Sequence, residues 1–193
     1  PYTERQKSWI PIYPVPLEKH NPDLAKEKSL AYVLTKHNQM EVARYPYLDA
    51  ANNLLGYTVR LENTQGDKIV LPLTYCQNSK GQQQWRWHGF GDDRPLYGLN
   101  QLAEHPDKPV LVVEGEKTAN AAQQLFPDLT VVSWPGGSGA VAKVDWSPLM
   151  GKNIALWPDN DTAGHKAMER INHTLSALHE AKNISLQIQR VAL

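Results

Sequence analysis

The chain has 193 residues, 41% of them hydrophobic, and its 20 Lys plus Arg are balanced by 20 Asp plus Glu. That is enough apolar material for one large or two small cores and excludes a disordered chain, while zero formal charge excludes a uniformly basic, nucleic-acid-coating surface. A lone cysteine, Cys76, excludes a disulfide framework or Cys-rich zinc ribbon, and no apolar run approaches the ~20 residues of a membrane helix.

Residues 1–44 open with Pro11, Pro14 and Pro16, which favour extended backbone, and then turn helix-favouring at 23–38 around Leu30, Val33 and Leu34. This zone reads as an N-terminal arm with one helix. Nothing at Pro1-Tyr2-Thr3-Glu4-Arg5 resembles a signal peptide, so a cytoplasmic protein is expected, and a start other than Met fits a piece of a longer one. Residues 45–107 read as a small β-rich module. Tyr57 to Glu62 alternates bulky and polar residues. Ile69 to Tyr75 is strand-like, with Pro72 pointing to an edge, and Asn63-Thr64-Gln65-Gly66-Asp67 makes the pair a hairpin. Gln84 to His88 is a third strand. Its Trp85 and Trp87 share a face and fit core packing better than a base-stacking platform, whereas Arg60, Lys68 and Arg86 are candidates for a modest nucleic-acid-binding strip.

Residues 108–193 change character. Val110-Leu111-Val112-Val113, Val131-Val132-Ser133-Trp134 and Ile154-Ala155-Leu156-Trp157 are short continuous apolar runs, as in strands buried on both faces of a parallel sheet. Helical patterns at 117–126 and 162–180 separate or follow them, the second placing Met168, Ile171, Leu175 and Leu178 on one face. Ile184, Leu186 and Ile188 alternate like a half-covered edge strand. The βα alternation predicts an open, mainly parallel α/β sheet, which with the antiparallel module makes the chain α+β overall.

Ligands of such sheets bind beyond the C-terminal strand ends, so the residues that follow each run matter most. They are Glu114-Gly115-Glu116-Lys117, Pro135-Gly136-Gly137-Ser138-Gly139 and Pro158-Asp159-Asn160-Asp161. Glu114, Asp159 and Asp161 on one rim would repel one another unless a hard cation such as Mg²⁺ or Mn²⁺ neutralised them. The plainer alternative makes Asp161 a helix N-cap and Glu114 a solvated strand end. Gly136, Gly137 and Ser138 could offer backbone N–H groups to a phosphate, though the turn lacks the trailing Lys of a P-loop. Lys117 either faces that phosphate or is solvated, and His165 reads as a surface residue.

The stretch from Val110 to Ala119 resembles the first motif of Toprim domains, a hydrophobic strand followed by Glu and Gly. Leu156-Trp157-Pro158-Asp159-Asn160-Asp161-Thr162-Ala163-Gly164 resembles the second, a strand followed by Asp-x-Asp and a downstream Gly. Pro95-Leu96-Tyr97-Gly98-Leu99 and Trp134-Pro135-Gly136-Gly137 are similar to the primase-like proteins of phages, plasmids and integrated elements. The resemblance implies a Toprim domain over 108–193 and metal-dependent phosphodiester chemistry, with the family's acids falling on Glu114, Asp159 and Asp161 and with Lys117 beside them. It further implies primer synthesis on single-stranded DNA from nucleotide triphosphates, with a replicative helicase as a possible partner and no membrane role. A Toprim nuclease and a non-catalytic nucleic-acid-binding or docking module are the competing expectations. There is no cysteine-based zinc module, which bacterial primases commonly use for template contact, and no Walker A loop, so a helicase domain of the kind often fused to such primases would lie outside this chain.

Overall fold

All four residues of Val110–Val113 are buried, which forces neighbours on both sheet faces. The computed structural model, which describes residues 9–36, 38–182 and 187–190, supplies them. This strand (β6) pairs in parallel with Thr130–Val132 (β7) on one side and Asn153–Trp157 (β8) on the other. Gln187–Arg190 (β9) continues the sheet in parallel from β8, giving the order β7-β6-β8-β9. Val110, Val112, Val132, Ile154 and Leu156 point to one face, where Ala167, Met168, Ile171 and Leu175 of the helix Thr162–Lys182 (α4) cover them. Leu111, Val113 and Val131 point to the other and meet Ala119 and Ala122 of the helix Glu116–Leu125 (α3). Alternation along each strand thus puts a helix on either face. Strand β9 occupies the predicted edge, although Ile184 and Leu186 lie outside the described residues.

The chain divides into two compact units. The second contains this sheet, residues 49–52 and the chain from Asp92 onward, including a short helix, Leu99–Glu104 (α2), that the sequence pattern did not announce. The first contains Trp9–Pro11 (β1), the helix Lys28–Lys36 (α1), Met40–Leu48 (β2), Leu54–Glu62 (β3), Lys68–Asn78 (β4) and Gln83–Arg86 (β5). These strands form an antiparallel sheet of order β1-β4-β3-β2, with β5 on the other edge of β4. Pro72 pairs with Thr58 of β3, and β5 begins only at Thr74, so the missing proline N–H falls where β4 has no second ladder.

Two sequence expectations are corrected here. The predicted arm is not separate where it is described: Val15, Leu24 and Leu30 share a core with Val59, Leu61, Leu73 and Trp85, and β2 pairs along β3. Its helix is also shorter than predicted. Asp23 Oδ1 accepts the N–H groups of Ala25 and Lys26, making a turn that delays the helix to Lys28. Trp85 and Trp87 are structural, as their spacing implied, donating Nε1–H to Lys19 O at 2.9 Å and Leu30 O at 3.1 Å. Cys76 is buried within β4. No helix among the described residues is long and apolar enough to cross a membrane.

A buried histidine pins α4 to the turn before β8. His179 is 1% exposed; Nδ1 lies 2.7 Å from Leu175 O, and Nε2 accepts Gly151 N–H at 3.1 Å. His179→Leu keeps the apolar packing but leaves the Gly151 N–H without its acceptor. It should cost about 1–3 kcal/mol in urea unfolding, whereas His179→Gln, which keeps an acceptor, should cost less. Equal stability of wild type and His179→Leu would show that the bond contributes nothing.

Candidate functional site

Because β6 and β8 run parallel with Val113 opposite Trp157, the residues that follow them leave the sheet on one rim. Glu114 follows β6 and is half-buried; Asp159 and Asp161 follow β8 and are exposed. The three are close enough to act on one another. Burial, and then the facing charge of Asp159, hold the Glu114 carboxyl above the usual glutamate range; Asp161 adds to this, and a hydrogen bond from Ser138 opposes it. Burial and then Asp161 raise Asp159 in the same direction. Glu114 and Asp159 are therefore harder to ionise than free carboxyl groups, a condition that a divalent cation relieves.

Two of the acids also hold local structure. Glu114 Oε1 accepts the backbone N–H of Ser138 at 2.9 Å. Asp161 Oδ1 accepts Gly164 N–H at 2.7 Å, so Asp161 does cap α4. As placed, no three His, Cys, Asp or Glu side chains among the described residues stand together as a metal-holding group. The donor set nonetheless fits a hard cation: all three side chains offer carboxylate oxygens, and their mutual charge is uncompensated by any ion pair among the described residues. Glu114, Asp159 and Asp161 are the residues that could hold one.

The glycine turn lies against this rim. Gly136 and Gly137 have φ of +97° and +66°, and Trp134 Nε1–H, donating to Gly137 O at 2.8 Å, ties the turn to the core. Of the N–H groups expected to face a phosphate, that of Ser138 is given to Glu114 instead. Sequence reasoning missed Arg94. Its Nη1 donates to Pro135 O at 3.2 Å, its Nε is buried without a hydrogen-bond partner, and its backbone bridges Lys143 and Asp145. A Cβ at Gly136 would stand 2.6 Å from Arg94 Nη1, so the guanidinium fills the space under the turn. Its only sequence signal was its place just before the Pro95–Leu99 stretch already singled out.

The remaining candidates are dispersed. Lys117 is exposed in the first turn of α3, and His165 is exposed in α4. In the other unit, Glu62 pairs with Lys68 across β3 and β4, and Arg60 lies opposite Val70. The Arg60 guanidinium is held by Glu62, with Nε 2.7 Å from Oε1. Arg86 stacks over the Trp9 ring at 4.6 Å and pairs with Thr74, roughly 20 Å along β4 from Lys68 at 3.3 Å per residue. The three cations thus do not make one tight cluster.

Gly164 controls where Asp159 sits. A Cβ there would meet Asp159 O at 2.7 Å and Asp159 N and Cβ at 2.9 Å, mostly rigid backbone. Gly164→Ala should destabilise by about 1–3 kcal/mol despite the helix preference of Ala, because the strand end must move. Wild-type stability in a thermal melt would show that the contact yields freely. The charge cluster makes a second prediction. Both folded-state carboxyl pKa values are raised, so the folded chain binds more protons than the unfolded one. Their contribution to stability is full below the unfolded carboxylate range, about 4, and is lost as pH rises through the folded values. Glu114→Gln retains an acceptor for Ser138 but removes the charge. It should raise the melting temperature at pH 7 and flatten the decline from pH 4 upward in low salt; a variant less stable at pH 7 would contradict the repulsion.

The fold has relatives among solved structures. The primase fragment of the bacteriophage T7 primase-helicase protein is 17% identical with a TM-score of 0.50, over 88% of this chain and 63% of that one. The catalytic core of E. coli primase is 18% identical with a TM-score of 0.46, over 77% and 44%, and the DnaG primase catalytic domain bound to ssDNA is 18% identical with a TM-score of 0.47, over 88% and 53%. The chain thus spans less than two thirds of each. The mixed α/β architecture, one sheet parallel and the other antiparallel, is similar to that of the T7 primase fragment. A comparison with curated proteins finds no match. A family model described as a domain of unknown function, DUF6371, matches residues 17–160, and the chain belongs to that family.

Proposed function

We propose that residues 108–193 are a Toprim-type domain and that the chain is a primase-like catalytic core, transferring nucleotides onto a primer on single-stranded DNA. The observation that carries this reading is the convergence of Glu114, Asp159 and Asp161 at the ends of two adjacent parallel strands, with the Glu114 carboxyl raised by burial and by both aspartates and the Asp159 carboxyl by burial and by Asp161. The fold likeness to the T7 primase fragment supports it. Mg²⁺ or Mn²⁺ held by these acids would neutralise phosphate charge and orient an in-line displacement.

The chain's own residues set the geometry. Gly164 lets the Asp159 backbone lie against α4, and the Asp161 cap fixes the helix start beside it. Glu114 is held toward the glycine turn by Ser138 N–H and is, with its raised pKa, suited to exchange a proton with a reacting oxygen. Lys117, exposed one turn from Glu114, supplies positive charge for nucleotide phosphates, with Gly136, Gly137 and Ser138 beside them. In the antiparallel unit, Arg60, Lys68 and Arg86 offer contacts to template. A replicative helicase is a further proposed partner.

One observation favours a second reading. Glu114 and Asp161 each spend an oxygen on a backbone N–H, as they would in a non-catalytic docking module of the same shape.

The two readings part on one substitution. Asn caps helices as well as Asp does, so Asp161→Asn keeps α4 intact while removing a charge. The catalytic reading expects Asp159→Asn and Asp161→Asn each to lose Mn²⁺ binding by calorimetry and at least about 100-fold of template-directed synthesis, the scale of one lost charge stabilising a transition state, with unchanged circular dichroism. Full Mn²⁺ binding and activity in Asp161→Asn would leave the cap as its whole role. Metal-dependent cleavage of the oligonucleotide without synthesis would mark a nuclease.

A further inference from the structure

Two elements leave the acidic rim side by side. The 3-10 turn Ser138–Lys143 begins at the residue whose N–H binds Glu114, and α4 begins just after the cap Asp161. Between them lies a groove of about 370 Å³. Val141 and Ala142 line it from the 3-10 turn; Lys166, Arg170, His173 and Glu169 line it from α4. The buried stripe of α4, Ala167, Met168, Ile171 and Leu175, is committed to the core, and the flank that lines the groove lies outside that stripe.

Lys166, Arg170 and His173 are spaced by four and then three residues, which stacks them along one side of the helix. At 1.5 Å per residue they extend over roughly 10 Å of the axis. Lys143, exposed, ends the facing turn. Glu169 is the single acid in the groove lining, and among the described residues no ion pair engages Lys166, Arg170 or Glu169. Over the whole chain Lys plus Arg equals Asp plus Glu, so cations in excess along this groove are a local feature and not part of a general positive charge.

We propose that this groove binds the sugar–phosphate backbone of a single nucleic-acid strand on its way to or from the acidic rim, an inference that rests on reading that rim as a phosphodiester-processing site. The shape of the charge selects this occupant. A lone nucleotide is held by donors that converge on one phosphate group, whereas these cations are strung along a helix, as the charges of a strand are strung along its backbone. The groove also leads away from the two residues, Ser138 and Asp161, that join its walls to the rim. Affinity here is expected to be largely independent of sequence and dependent on salt.

The test uses the whole chain and a fluorescein-labelled oligothymidylate of about 20 nucleotides, with anisotropy read over a series of salt concentrations. Lys166→Glu/Arg170→Glu should weaken binding about tenfold or more and lower the salt slope by about 1.4, two contacts at about 0.7 each. The control pair Lys80→Glu/Lys182→Glu makes the same change in net charge outside the groove and should shift neither by more than about twofold. Loss in the control equal to that in the groove variant would reduce the effect to net charge and overturn the proposal. So would unchanged affinity and slope in the groove variant, or a wild-type chain that binds a mononucleotide but no strand. Mn²⁺ calorimetry on the groove variant and on Asp159→Asn separates the two ideas. A groove variant that binds oligonucleotide like wild type while Asp159→Asn loses metal sinks the groove alone. Loss of strand binding in the groove variant, with Asp159→Asn still binding metal, keeps the groove and sinks the metal rim.

Discussion

Everything at the rim depends on the in-register parallel pairing of β6 with β8. Val113 opposite Trp157 ends both strands at the same level, so Glu114 must face the chain that carries Asp159 and Asp161. A parallel ladder gives little freedom here, because a one-residue slip would exchange Val110 and Val112 with Leu111 and Val113 between the α4 and α3 faces and force both cores to repack. Burying a side chain of this size is worth roughly 1.5–3 kcal/mol. Losing part of that from several side chains on both faces at once would exceed what the repulsion of three partly solvated carboxylates can cost. The core therefore fixes the positions of residues 114, 159 and 161, and the acids placed there persist as a local penalty.

Such a penalty is informative because nothing in the packing requires it. Asn at the cap position, or Gln after β6, would satisfy the same N–H groups of Gly164 and Ser138 without the charge. The glycines around the rim point the same way. Gly164 admits the Asp159 backbone and Gly136 admits the Arg94 guanidinium, each at distances that a Cβ would forbid. Close approach has been bought with residues that stabilise a helix or a turn less than alanine would elsewhere. At the rim, close contacts at Gly136 and Gly164 coincide with clustered acidic charge.

How much of this was legible depended on the type of signal. Strands β6, β7 and β8 were readable from continuous apolar runs, α4 from a 3.6-residue period and α3 from its Ala-rich composition, since burial on both faces leaves little ambiguity over a few residues. The β3–β4 hairpin was readable from Asn63 to Asp67, where Asn63 Oδ1 closes the turn by accepting the backbone N–H groups of Gln65 and Asp67. Strand β2 was not: Met40, Glu41 and Val42 are all exposed, so its first half lacks alternation, and only Tyr45 and Tyr47 mark a buried face. Helix α2 was too short to show a period, and Asp23 broke a helix that propensity alone had extended. At the rim, residue types and strand ends located the acids, but hydrogen bonds that span tens of residues could not be foreseen. The Glu114 bond to Ser138 and the placement of Arg94 beneath Gly136 are of that kind.

The distribution of charge carries the last step. With as many acids as bases, the chain has no long-range field to draw a polyanion, and Arg60 is already neutralised by Glu62. On the proposed function, contact with nucleic acid would then come from short-range groups that lack protein partners. Lys166 and Arg170 meet that condition next to the acids, and Arg86 meets it less well because its guanidinium is spread over Trp9. Acids that would repel a phosphate and cations that would attract one are set a few turns apart on the same helix. A strand drawn along the cations would meet the acids only if a divalent ion screened them. On that argument metal and strand should bind cooperatively, each lowering the electrostatic cost of the other.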